Sequence, residues 1–357
     1  MDEKIKRLLN WAKGERDYPF SIELSPTLRC NLNCLFCWRF GKKVDSVNEL
    51  TLGEYKRILE EASKLKVEEI RIIGGGEPLM RRDILEVMKK VKEYGMFGYI
   101  CTNGTLFSEE MIKTLVRIGW DHVKFSLHAP DKETQDFLAQ GKSFEKIVKN
   151  IKSFVELKKK LKSEKPKIEI GLVLNRKNFN KIFYMLKLIK KLEVQAFFVE
   201  PLTVYTKKGK ELKLKKAEAE KFKEIAKKAF SLTNNLETNL SQFFSSEMIE
   251  KTGKMIEEMK KLTRGRKNSF LSVACFEPFW RMGIRVDGWV CPCGFLDQKT
   301  TENVREKSLK EIWFGEYFDE RRKQLIHKNI PKYCQKCCTT LIQYNQIIRE
   351  QLSKLIS

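Results

Sequence analysis

From Ser21 to Leu202, short β-branched runs alternate with amphipathic helical stretches, and this alternation restricts the fold more than any other feature of the chain. Strands separated by helices are joined by right-handed crossovers and lie parallel in one sheet. The runs predict six strands: Ser21 to Leu24, Glu69 to Ile73, Tyr99 to Thr102, His122 to Leu127, Lys167 to Leu174 and Gln195 to Val199. Thr51-Leu-Gly-Glu54 reads as a capping box opening a helix that runs to Leu65, and Ser308-Leu-Lys-Glu311 repeats the signature. Polar or glycine-rich residues follow the strands: Gly74 to Glu77, Thr102 to Gly104, Ser126 to His128, and Asn175. Ligands of parallel α/β folds bind at the carboxyl ends of strands, so the chemistry is expected there.

Beyond Pro201 the pattern becomes a Lys-rich linker with two helical stretches, Lys216 to Ser231 and Gln242 to Thr263, and no strands. A compact second unit follows from Ala274 to about Cys338. Asp287-Gly288 there reads as a hairpin turn between Ile284-Arg285-Val286 and Trp289-Val290. With 357 residues, 42% hydrophobic and 33% charged, the chain is that of a globular protein. No apolar run approaches the roughly 20 residues of a membrane span. Met1 to Arg16 lacks a continuous apolar stretch, so no secretory signal is read and a cytoplasmic protein is expected. The formal charge of +23 is compatible with an anionic partner such as a phosphorylated substrate, nucleic acid or lipid surface. It is equally that of a solvated Lys- and Glu-rich surface. The lysines are spread over helices without interleaved aromatics, so no nucleic-acid motif is indicated.

Ten cysteines in a chain of this length and compartment point to metal ligation rather than disulfides. Three of them, in Cys30-Asn-Leu-Asn-Cys34-Leu-Phe-Cys37, follow the first strand and converge from one loop. Three soft ligands suit an iron–sulfur cubane, which then keeps one iron open for an exogenous ligand. A zinc loop is the other reading, and it lacks a fourth Cys or His nearby.

This Cys-x3-Cys-x2-Cys pattern, with Phe36 before the last cysteine, resembles the radical S-adenosylmethionine (radical SAM) superfamily. The resemblance covers Ser21 to Val199 and extends to Cys338. It implies a partial (β/α)6 barrel, open on one side, followed by a small α+β auxiliary-cluster domain. It also implies that a [4Fe-4S] cluster on Cys30, Cys34 and Cys37 binds SAM and cleaves it reductively to a 5'-deoxyadenosyl radical. Gly74-Gly-Gly-Glu77-Pro78 resembles the motif that receives SAM's amino group, with Gly75, Gly76 and Glu77 as its members. Glycines allow close backbone approach and a carboxylate complements an ammonium. Asn103, Ser126 and Asn175 match positions that contact SAM's carboxylate or ribose, against the alternative of local turn capping.

Cys275, then Gly288, Cys293 and the pair Cys334-Gln-Lys-Cys337 resemble the auxiliary-cluster domain called SPASM, or twitch in its short form. Nothing beyond Cys338 is a cysteine, so one auxiliary [4Fe-4S] cluster is expected on Cys275, Cys293, Cys334 and Cys337. A four-cysteine zinc ribbon uses ligands in the same pairs. Cys291 and Cys338 remain as spare thiols or substitute ligands, Cys291 also as a candidate hydrogen donor, and Cys101 is read as core packing.

The domain reading is an N-terminal helical extension at 1–20, the barrel at 21–205, a helical linker region at 206–270, the auxiliary domain at 271–340 and a C-terminal helix at 341–357. The expected reaction is hydrogen abstraction from a small polar or anionic substrate, oxidised with the auxiliary cluster as electron acceptor. A maturase acting on a peptide or protein side chain and a redox-neutral epimerase using Cys291 are the alternatives. Lys354-Leu-Ile-Ser357 lacks the Gly-Gly tail typical of the GTP cyclase of molybdenum-cofactor synthesis. The expected electron donor is a low-potential carrier such as ferredoxin or flavodoxin.

Overall fold

The computed structural model describes residues 2–42, 44, 48–245, 270–293, 300–331, 334 and 339–356. Helix α1 (Glu3–Ala12) precedes strand β1 (Ser21–Leu24). The next units are α2 (Leu52–Lys64) with β2 (Glu69–Ile72), α3 (Ile84–Glu93) with β3 (Phe97–Thr102), and α4 (Glu109–Arg117) with β4 (His122–Ser126). Helices α5 (Lys132–Ala139) and α6 (Phe144–Lys160) lead to β5 (Lys167–Leu174), and α7 (Ile182–Lys191) leads to β6 (Ala196–Pro201). The capping box at Thr51 forms as the sequence predicts: its hydroxyl accepts from the Glu54 amide at 3.2 Å, and the Glu54 carboxylate accepts from the Thr51 amide at 2.6 Å.

All six strands pair in parallel and in sequential order. Without a reversal of order, right-handed crossovers place every helix on the same face, and the sheet coils into a partial barrel. The helix-covered face carries the core, with Ile22, Ile70, Ile100, Phe125, Ile170 and Phe197 all fully buried. Each alternate residue points to the inner face.

After β6 come α8 (Lys207–Leu212) and α9 (Lys216–Phe230), then a two-residue strand β7 (Glu237–Thr238) parallel to β6. This strand corrects the expectation of a strand-free stretch; two residues are too few to make a β-branched run. Leu240–Phe243 is a 3-10 turn where the second long helix was expected to begin, and most of that expected helix lies outside the described residues.

The second unit joins the same sheet. Strand β8 (Arg281–Ile284) pairs parallel with β1, and β9 (Val290–Cys291) pairs antiparallel with β8 through the expected turn, where Gly288 has φ 84°. Among the described residues the sheet therefore has nine strands in the order β7-β6-β5-β4-β3-β2-β1-β8-β9. Helices α10 (Leu309–Trp313) and α11 (Glu316–Ile326) follow, and α12 (Thr339–Ile356) packs Ile348 and Leu352 against Ile5 and Leu8 of α1.

The inner face is polar. Lys124 Nζ lies 2.5 Å from Glu200 and 3.3 Å from Glu169, which lies 2.9 Å from His122 Nε2. The His122 ring meets Tyr99 edge-on at 4.9 Å, the Arg71 guanidinium sits 3.9 Å from the Tyr99 ring, and Arg71 pairs with Glu69 at 3.0 Å. Next along the sheet, Arg281 bridges Glu23 at 3.5 Å and Glu277 at 3.3 Å. Cys101 belongs to this face, its Sγ 3.9 Å from Ser126 Oγ, which corrects its assignment to the apolar core. Strand parity is the reason: Cys101 pairs with Lys124, not with a helix-facing residue.

Candidate functional site

The glycine-rich loop after β2 packs directly on the segment that leads from β1 to the first cysteine. The Gly76 amide donates to the Thr27 carbonyl and the Glu77 amide to the Arg29 carbonyl, both at 2.7 Å. A Cβ on Gly76 would fall 1.9 Å from the Arg29 carbonyl oxygen, and one on Gly75 2.4 Å from Ser25 Oγ. Gly75 also has φ 65°, which side chains disfavour. The close approach expected of these glycines is therefore first an approach to the chain itself. It fixes Arg29, and with it Cys30. Gly76→Ala is expected to displace this segment and to cut cluster loading at the first site severely while sparing the second. Iron analysis after anaerobic reconstitution checks this, with about four irons lost of about eight.

Glu77 is 2% exposed and turned inward. One carboxylate oxygen accepts from Thr102 Oγ1 at 2.6 Å and from the Leu79 amide at 3.0 Å, and the other accepts from the Asn103 amide at 2.7 Å. Burial pushes its carboxyl up, and these three donors pull it back. In this conformation the carboxylate ties the loop after β3 to the glycine loop. Glu77→Gln leaves an amide NH2 facing either the Asn103 or the Leu79 donor. It should cost about 1–3 kcal/mol of folding stability, measurable by denaturant titration of the cluster-free chain.

Asn103, so held, reaches the cysteine loop. Its Nδ2 lies 3.9 Å from Cys30 Sγ and donates to Asn31 Oδ1 at 2.8 Å, while its Oδ1 accepts from Thr105 Oγ1 at 2.7 Å. Thr105 in turn accepts from Asn31 Nδ2 at 2.8 Å. Asn31, Thr102 and Thr105 were not singled out from sequence; their placement flanking Cys30 and Asn103 was the available signal. Phe36 meets the His128 ring edge-on at 4.8 Å. His128 Nδ1 accepts from the Val173 amide at 3.1 Å, and burial lowers the imidazole to about 4, so it is neutral. Ser126 lies on the inner face beside Cys101. Asn175 is fully buried, its Nδ2 donating to the Val173 carbonyl and its Oδ1 accepting from the Lys177 amide, each at 2.9 Å. In this arrangement the amide caps its own loop, the turn-capping alternative that the sequence offered.

The three loop thiols are close enough to act on one another. Cys34 is pushed up to about 12 by burial, then by Cys37 and Cys30, and Cys30 is raised chiefly by burial. Among the described residues no three His, Cys, Asp or Glu side chains converge on a single ion. In a cubane each thiolate meets a different iron, so crowded but non-convergent thiols fit a cluster whose positive irons relieve their repulsion.

The second cysteine group gathers at the other end of the sheet. Cys275 precedes the start of β8, and Cys293 follows β9, which runs back toward that start. Cys293 is raised well above the usual thiol range by burial, then by Cys275, Glu277, Cys334 and Cys291. Four thiols therefore share one neighbourhood, and this donor set fits a buried cluster. Cys337 and Cys338 lie outside the described residues.

The Radical SAM superfamily model matches residues 24–163, and the SPASM model, an iron-sulfur cluster-binding domain, matches 275–338. A probable GTP 3',8-cyclase of Thermococcus kodakarensis is 34% identical over 136 residues, 38% of this chain and 44% of the cyclase, so the chain spans under half of that relative's length. An Fe-coproporphyrin III synthase of Methanosarcina barkeri is 26% identical over 92% of this chain and 82% of its own. Among solved structures, Streptococcus suis SuiB bound to its precursor peptide SuiA superposes with TM-score 0.68 at 20% identity, over 89% of this chain and 70% of SuiB. No helix among the described residues is long and apolar enough to cross a membrane. The two cysteine groups and these matches together give the chain a radical SAM superfamily domain, which implies SAM and a [4Fe-4S] cluster, followed by a C-terminal SPASM iron–sulfur domain.

Proposed function

We propose that the enzyme abstracts hydrogen from a small polar or anionic molecule held on the inner face of the barrel, and that the SPASM-domain cluster takes the second electron. One observation carries this reading. The first cysteine group follows the carboxyl end of β1, and Cys275 precedes the amino end of its parallel neighbour β8, so the two groups lie toward opposite ends of one sheet. A polar face of paired charges, Arg71 with Glu69, Lys124 with Glu169 and Glu200, and Arg281 with Glu23, runs between them. When bound, SAM and the first cluster supply the 5'-deoxyadenosyl radical. Cys30, Cys34 and Cys37 would hold that cluster. Phe36, Gly75, Gly76, Asn103 and Ser126 frame the adjoining space for SAM, with Glu77 acting through Asn103. Cys275, Cys293, Cys334 and Cys337 would hold the auxiliary cluster.

Two relatives that align over most of the chain, an Fe-coproporphyrin III synthase and an AdoMet-dependent heme synthase, are named for small-molecule products, which supports a small substrate. The test is anaerobic turnover with host-cell extract separated into small-molecule and protein pools. Stimulation of 5'-deoxyadenosine formation by the small-molecule pool alone is expected. Stimulation by the protein pool alone would transfer the reading to a maturase.

A further inference from the structure

A recess of about 380 Å³ opens beside the first cysteine loop. Its floor is Leu35, the residue after Cys34, and Leu212 of α8, both almost fully buried. The loop is anchored there by backbone bonds from Asn33 and Leu35 to the Ala139 and Leu138 carbonyls, at 3.2 and 3.0 Å. The rim carries the exposed ring of Phe137, three cations, Arg176, Lys177 and Lys208, and one carboxylate, Glu211, so cations outnumber anions on it. Arg176 is committed to Glu218 of α9 at 3.0 Å, Lys208 faces Glu211 at 2.6 Å, and Lys177 lies over the Phe137 ring at 5.4 Å. The loop's outer edge adds the exposed Trp38 ring with Lys42 at 5.2 Å.

We infer that this recess and its rim are the docking face for an acidic, low-potential electron-carrier protein. The inference rests on the radical SAM reading, which requires an electron at the cluster on this loop. Three features select the occupant. The floor is one residue from a cluster ligand, so a carrier seated here lies against the cysteine loop itself. The rim is basic and the whole chain carries +23, which steers a negatively charged protein. Exposed aromatics among cations give the apolar centre and charged surround of a transient interface.

The test uses the anaerobically reconstituted holoenzyme and an acidic two-[4Fe-4S] ferredoxin as probe. Lys177→Glu with Lys208→Glu reverses the rim charge and spares the Arg176–Glu218 tie. Lys56→Glu with Lys64→Glu on α2 makes the same change in net charge away from the recess. Ferredoxin affinity, by biolayer interferometry, should fall about tenfold or more in the rim variant only, together with the salt dependence of binding. Ferredoxin-driven 5'-deoxyadenosine formation should fall in parallel, whereas formation driven by photoreduced deazaflavin, which is uncharged, should match wild type. Equal losses in the two variants would reduce the effect to net charge and overturn the assignment. Loss under both reductants, which would mean that the recess receives SAM or substrate, or unchanged affinity, would also overturn it.

Discussion

Replacing Cys30, Cys34 and Cys37 together by Ala is expected to lower the reconstituted iron content from about eight to about four per chain and to abolish SAM cleavage. The three thiols come from one short loop, and burial and the neighbouring thiols raise Cys34 more than Arg39 lowers it. The loop should survive their loss. It is held by backbone bonds from Gly76 and Glu77 to its Thr27 and Arg29 carbonyls and from its Asn33 and Leu35 amides to Ala139 and Leu138, none of which involves a cysteine side chain, so the variant should fold and keep its second cluster. Iron and sulfide content, the electron paramagnetic resonance spectrum of the reduced protein and 5'-deoxyadenosine by mass spectrometry check the outcome. A triple variant that holds zinc and no iron would replace the auxiliary cluster by a zinc ribbon.

The alternation of strands and helices was legible because it depends on local periodicity, and the six barrel strands appear within one or two residues of their predicted ends. The pairing of β8 with β1 was not. Residues 281–284 lie some 260 positions from β1 in sequence, and nothing in Arg-Met-Gly-Ile states which edge it will meet. The polar inner face was equally hidden. Glu23, Glu69, Arg71, Lys124 and Glu169 read singly as exposed strand residues, and only the register of five parallel strands brings them into one layer.

The site shows the same division. Cysteine spacing and the Gly-Gly-Gly-Glu run located the loops, since both are short-range features. What Glu77 does with its carboxylate depends on Thr102 and Asn103, which arrive from the next strand, and Asn175 is buried by a loop that its own sequence neighbours close. In each case the residue type was informative and its partner was not, because hydrogen-bond partners are chosen by tertiary approach.

The largest remaining effect concerns the second electron. Cys275→Ala should suppress product formation about 100-fold or more, equivalent to about 2.7 kcal/mol, while reductive SAM cleavage continues without productive turnover. Cys275 is buried beside Glu277 at the base of β8, and an alanine there removes a thiol proposed as an auxiliary-cluster ligand without touching the first loop. Cys291 separates oxidation from inversion. It is fully buried on β9 opposite Gly283, which lies in register with Glu23, so its thiol shares the inner-face row while lying against Cys293. In an oxidation, one hydrogen atom leaves the substrate for the 5'-deoxyadenosyl radical. One electron then passes to the auxiliary cluster and one proton to solvent or a basic side chain, giving a product two hydrogens lighter. In an inversion, a thiol returns a hydrogen atom and the product mass is unchanged. With the substrate in hand, turnover in deuterated water is expected to give the lighter product with no solvent deuterium at the reacting carbon, and Cys291→Ala is expected to stay within about threefold of wild type, less than about 0.7 kcal/mol. One solvent-derived deuterium at unchanged oxidation level, lost in Cys291→Ala, would make the enzyme an epimerase and Cys291 its hydrogen donor.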